Sequence, residues 1–288
     1  MKLVTYAVEG GAPRVGVLKH DGVHDAGFAG DMVAAIEGWD DFQLRSESVG
    51  REPPVRGAKL LAPLHPRSMR DFLAFEGHMK GAMERLGRPI AKEWYEIPTY
   101  YKAMPDTVIG PDAEIPWPAY SKRIDYELEL ALVIGKRGRD IPAARAMDYV
   151  FGWTIWNDVS ARDVQAREAR VGMGPGKAKD WDGSNVLGPV LVTCDELDGR
   201  AIAMRVRVNG ALRGEDNTAN MHHSFERMIE HASRAQTLYP GEVFGSGTIS
   251  RGSGLEIDQW LRPGDVIELE VDGIGVLRNL VGAPLSLP

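Results

Sequence analysis

The stretch IDYELELALVIG, residues 124–135, sets carboxylates into a run of Leu, Val and Ile. Side chains alternate along a strand, so Glu127 and Glu129 share one face while Leu128 and Leu130 take the other. Asp125 falls on the glutamates' side. Like charges at that spacing repel, and burying either one unpaired is expensive. Two readings are open. An antiparallel edge strand would hold both glutamates in water. A divalent cation would instead turn their repulsion into attraction for the ion. Such hard oxygen ligands suit Mg²⁺, Mn²⁺ or Ca²⁺ rather than zinc.

Three further segments carry groups of the right kind. In TIWNDVSARDVQAR, an apolar run ends in Asn157, Asp158, Ser160, Arg162, Asp163 and Gln165, which puts reactive groups on the rim of a rigid scaffold. The same residues also read as a helix start with Asp158 as N-cap. In MRDFLAFEGHMK, Asp71 and His78 lie about two helical turns apart and can share a face, although a lone histidine is more often packed or solvated. GTISRGSGLEID is a glycine-rich turn leading into Glu256, or simply a hairpin loop with a surface glutamate.

The elements that must position these groups mix strands and single helices. KLVTYAV, RVGVLKH and GVHDA are short strand candidates, and DMVAAIEGWDDF is a helix candidate. The Pro- and Gly-rich GREPPVRGAKLLAPLHP marks a boundary. It is expected to separate a small N-terminal domain or cap, residues 1–65, from a larger domain, residues 66–288. DFLAFEGHMKGAMERLG has helical spacing and ends in glycine. Beyond Ile124, strand-like runs dominate (ELELALVIG, VLGPVLVT, IAMRVRVNG, DVIELEVDGIGVLRNLV), with PAARAMDYV and FERMIEHASRA as interposed helices. Regular strand–helix alternation and a glycine fingerprint are both missing, which disfavours a dinucleotide fold. An α+β fold on a mixed sheet is expected.

Composition narrows the function class. The 288 residues are 43% hydrophobic and 26% charged, with a net charge of −7 and interspersed signs. No basic footprint for nucleic acid or for a membrane surface follows. One cysteine, Cys194, leaves no intramolecular disulfide and no cysteine-rich zinc site. The N-terminus breaks into glycine and charge too soon for a secretory signal, and no apolar run is long enough to span a bilayer. A cytoplasmic protein with a small-molecule partner is expected.

In order, RDFLAFEGH, DYELELALVIGK, NDVSARDVQ, AKDWDGSNVLGPVLVT, VNGALRGEDNTANM and GTISRGSG resemble the fumarylacetoacetate hydrolase family from Arg70 to about Gly282. The resemblance implies a β-roll of mixed sheets, commonly a homodimer. It implies a Mg²⁺-type ion on Glu127, Glu129, Asp158 and Asp71, and His78 as general base oriented by Glu256. Lys179 and Gln165 match the pair that polarises a substrate carbonyl, with Lys177 as a competitor for the lysine role. Tyr101 and Thr248 fall at substrate-contacting positions, and Arg162 pairs with a ligand carboxylate. Leu73 stands where close relatives of fumarylacetoacetate hydrolase carry a polar aromatic. Members with a different histidine–glutamate pair keep the glutamate just after the histidine; here that place holds Gly81 while Glu76 precedes the histidine, which favours Glu256 as the partner.

The implied activity is metal-dependent hydrolysis of a C–C bond in a 1,3-diketo acid: an acylpyruvate, fumarylpyruvate or fumarylacetoacetate-like compound. The alternatives are a lyase on the same scaffold (hydratase, oxaloacetate-type decarboxylase or isomerase) and a non-catalytic protein that only binds the cation.

Overall fold

In a computed structural model of the chain, the strand Leu128–Ile134 has no wet side, because every one of its residues is buried. It runs antiparallel to Val150–Asp158 on one side and Val243–Gly245 on the other. The edge-strand reading of its glutamates therefore fails. The structure describes residues 1–46, 49 and 52–286.

Among these residues eleven strands form one mixed sheet. Its main path runs Gly22–Asp25, Arg14–Lys19, Lys2–Ala7, Asn185–Thr193, Val150–Asp158, Leu128–Ile134, Val243–Gly245, Met69–Phe72, Tyr100–Ala103. Most neighbours are antiparallel, but Val243–Gly245 and Met69–Phe72 run parallel. A second sheet has five strands in the order Ala211–Asn217, Ala203–Val208, Val266–Val271, Gly275–Pro284, Glu114–Trp117. The strands Ala203–Val208 and Val266–Val271 alternate buried and half-exposed residues, as one wetted face requires. Their inward side chains, Met204, Val206, Ile267 and Leu269 among them, share a core with Leu128, Leu130 and Leu132.

The opposite face of Leu128–Ile134 carries Glu129, then Ala131 and Val133. The last two pack with Leu3, Val17, Met32, Val33 and Phe42 from the first 65 residues. Those residues also extend the large sheet, Lys2 pairing with Val192 and Leu3 with Leu191. The N-terminal segment thus covers one end of the face. The first two residues of GREPPVRGAKLLAPLHP lie outside the described residues.

Three sequence expectations change. Residues 71 and 72 belong to a strand, and the helix begins only at Glu76, so Asp71 and His78 do not share a helical face. DMVAAIEGWDDF forms two helices broken at Gly38. PAARAMDYV is a 3₁₀ helix, Ala143–Tyr149, rather than an α-helix. No helix among the described residues is long and apolar enough to cross a membrane.

Candidate active site

Four carboxylates converge, carried on or beside the strands Val150–Asp158, Leu128–Ile134 and Met69–Phe72, with Val243–Gly245 lying between the last two. Asp71 pairs in register with Gly245 on one side and Tyr101 on the other. Glu129 lies opposite Trp156, and Asp158 ends its strand opposite Asn185. Glu127 precedes the Leu128 strand, and its carbonyl accepts from the Asp158 N–H at 3.2 Å. One ligand oxygen from each of Asp71, Glu127, Glu129 and Asp158 lies within 4.8 Å of the others, and all four residues are buried. Gly245 makes room for Glu129, since a Cβ there would stand 2.3 Å from its Oε2.

The electrostatics of this cluster call for a cation. Burial, then the charge of Asp158, pushes the Asp71 carboxyl well above its usual range. Burial and the charge of Asp71 do the same to Glu129. Asp71 Oδ1 and Glu129 Oε1 are buried without a hydrogen-bond partner, a costly state for a polar atom. Four hard oxygen donors with two orphaned lone-pair atoms fit a divalent ion such as Mg²⁺, Mn²⁺ or Ca²⁺.

Two basic residues offset part of the charge. Lys179 Nζ donates to both Glu127 Oε2 and Asp158 Oδ2. Arg162 donates from Nη2 to Glu127 Oε1 at 2.7 Å, from Nε to Asp125 Oδ2 at 2.9 Å, and from Nη1 to Gln165 Oε1 at 2.9 Å. Although burial opposes it, these two cations hold Glu127 far below the usual carboxylate range. Lys177 is directed elsewhere and donates to the Asp180 carbonyl. The helix after this segment spans Arg162–Glu168 with Ala161 as N-cap, so Asp158 does not cap it.

Asp125 stays outside the cluster but is fully buried. Besides Arg162 it accepts the N–H groups of Gly254 at 2.8 Å and Leu255 at 3.0 Å. It therefore ties the Arg162 side of the site to the turn that carries Glu256. That role is invisible in strand alternation, which only says which way the side chain points.

His78 sits in the first turn of helix Glu76–Leu86, and its Nδ1 lies 2.9 Å from Glu256 Oε2. Ser253 Oγ donates to the same oxygen at 3.0 Å, and the Arg251 N–H donates to Glu256 Oε1 at 2.8 Å. Gly77 permits the approach, because a Cβ there would lie 1.8 Å from Ser250 Oγ. Glu76 is engaged instead by Lys80 and Tyr95. With Nδ1 bonded to a carboxylate, Nε2 is the nitrogen left to accept a proton.

These groups share a cavity of about 440 Å³. Asp71, His78, Glu127, Lys179, Gln165, Tyr101, Thr248 and Leu73 all line it. Tyr101 does more than line: its hydroxyl donates to both oxygens of Asp158, at 2.8 and 2.7 Å. Sequence reasoning missed this link and also the apolar wall formed by Met79, Ala82, Met83, Met173 and Leu255. The i, i+3, i+4 spacing of Met79, Ala82 and Met83 was the available signal.

Comparison with known proteins adds context. The family model described as fumarylacetoacetate (FAA) hydrolase C-terminal matches residues 68–282. The mitochondrial oxaloacetate tautomerase fahd2 of Xenopus laevis is 39% identical over 196 residues, covering 67% of this chain and 59% of that protein. The 5-carboxymethyl-2-hydroxymuconate delta-isomerase of Mycobacterium smegmatis superposes with a TM-score of 0.76 at 29% identity, covering 98% of this chain and 99% of that one. A fumarylacetoacetate hydrolase from Exiguobacterium antarcticum gives a TM-score of 0.81 at 28% identity, over 98% of this chain and all of that one.

Proposed function

Because the chain belongs to the fumarylacetoacetate hydrolase family, we propose that it is a divalent-metal-dependent hydrolase that cleaves a C–C bond in a 1,3-diketo acid. One observation carries the reading: His78, held by Glu256, lines the same cavity as Asp71 and Glu127 of the four-carboxylate cluster. Asp71, Glu127, Glu129 and Asp158 would hold Mg²⁺ or a similar ion. That ion supplies Lewis acidity toward the substrate's dicarbonyl oxygens.

The remaining work falls to this chain's own side chains. Glu256 fixes the imidazole, and His78 Nε2 takes a proton from water. The water attacks the carbonyl remote from the carboxylate, and Lys179 and Gln165 face the negative charge that develops there. Tyr101 and Arg162 keep Asp158 and Glu127 aligned. The C–C bond then breaks, and the carbon fragment that leaves recovers a proton. Pyruvate and a carboxylic acid result when the substrate is an acylpyruvate.

A second reading rests on the 39% identity to a tautomerase and the likeness to an isomerase. In it, His78 exchanges a proton with substrate carbon, giving it to carbon in ketonisation and taking it back in enolisation, rather than taking one from water. Pyruvate release from a panel of acylpyruvates, with Mg²⁺ and with chelator, separates the two. Hydrolysis yields metal-dependent pyruvate, lowered about 10²- to 10⁴-fold in His78→Ala. Ketonisation of enol-oxaloacetate without pyruvate from any acylpyruvate selects the second reading.

A further inference from the structure

We infer that the substrate's acyl tail is apolar and uncharged, so that diketo acids with a second carboxylate at the tail end are poor substrates. The inference rests on the proposed diketo-acid reading and narrows it. Met79, Ala82 and Met83 follow His78 on the same helix at i, i+3, i+4 spacing, and all three line the cavity with it. Ala169, Met173 and Leu255 complete the apolar wall. Met173 stands 79% exposed at the cavity's edge, an apolar side chain left for a tail to cover.

Charge points the same way. Among the described residues, the cations lining the cavity are both engaged at the carboxylate end. Arg162 is held by Asp125, Glu127 and Gln165, and Lys179 by Glu127 and Asp158. Glu168 also lines the cavity, its carboxylate fixed by the N–H groups of Gly176 at 2.9 Å and Ala178 at 3.3 Å. Even with a divalent ion bound, the four ligand carboxylates and Asp125 outnumber the positive charges of the ion, Lys179 and Arg162 by one. A tail carboxylate would meet the apolar wall with neither lining cation free to pair with it and a net negative charge to repel it.

The test uses the full chain with Mg²⁺ and two substrates of equal length. Butyrylpyruvate ends in a methyl group where succinylpyruvate ends in a carboxylate. The expected kcat/KM ratio favours butyrylpyruvate at least tenfold, and Met83→Arg should narrow or invert it. Titration calorimetry with N-propyl oxamate and N-(carboxyethyl) oxamate reads the tail preference without turnover. If neither diketo acid is cleaved but the propyl oxamate binds at least tenfold tighter, the tail assignment stands and the hydrolase reading falls. Equal or tighter binding of the carboxyethyl analogue, or no binding of either, overturns the tail assignment.

Discussion

Nδ1 of His78 and Oε2 of Glu256 lie 2.9 Å apart across a sequence separation of 178 residues. The helix bearing the histidine and the turn bearing the glutamate meet because Gly77 lets the two segments touch at Ser250. His78→Ala should lower kcat by about 10²- to 10⁴-fold, the usual worth of a positioned acid–base group. Glu256→Gln should cost about 10- to 100-fold, as loss of an orienting carboxylate does. The double variant should be no worse than His78→Ala alone in steady-state kinetics. Additive losses would show that the two side chains do not act as a unit.

Asp125 binds Arg162 and two backbone N–H groups in a fully buried setting. From the sequence, the family motif leaves it out of the ligand set and Asp125→Ala is expected to spare activity. The structure adds a stability cost. Removing one partner of a buried ion pair typically costs about 3–5 kcal/mol. Asp125→Ala should therefore shift the denaturant midpoint well down, while the folded fraction still binds Mg²⁺. An unchanged midpoint would deny Asp125 its anchoring role.

The raised pKa values of Asp71 and Glu129 set a pH dependence for the metal-free protein. A carboxyl whose folded pKa lies above its unfolded value stabilises the fold below about pH 4 and loses that contribution as pH rises through the folded value. Glu127, shifted down, has the opposite sense: its contribution is lost only as pH falls through its depressed value, so it is constant near neutrality. Bound ion requires the ionised forms. The gain in Tm on adding Mg²⁺ should therefore grow from pH 5 to pH 8 in thermal melts. A gain independent of pH would place the ion elsewhere.

Gly245 faces Glu129 so closely that an added Cβ would lie 2.3 Å from Oε2. Gly245→Ala should displace that carboxylate and weaken Mn²⁺ binding about tenfold or more, as read by calorimetry. Unaltered affinity would remove Glu129 from the ligand set.

Much of the site was legible because carboxylates in an apolar strand are conspicuous. Alternation alone put Glu127 and Glu129 on one side, and the ordered motifs brought in Asp158, His78 and Glu256. What the sequence hides is pairing. The strand holding Asp71 has four residues and is made by its neighbours, Val243–Gly245 and Tyr100–Ala103. Four residues are too few for a period to show, and the following helix's spacing extends misleadingly into it. Tyr101's bond to Asp158 and Asp125's hold on the Glu256 turn depend on contacts between distant segments. The joining of Lys2–Ala7 to Asn185–Thr193 is equally non-local, which is why the Pro-rich boundary gives no hint of a shared sheet.

The most direct test of the central claim is cleavage of an acylpyruvate in ¹⁸O-water, with Mg²⁺ and with chelator, followed by mass spectrometry of the carboxylic acid product. The account predicts metal-dependent pyruvate release with solvent oxygen in the acid, abolished in Glu129→Gln and lowered about 10²- to 10⁴-fold in His78→Ala. Proton exchange at the substrate's methylene with no pyruvate and no labelled acid would contradict it.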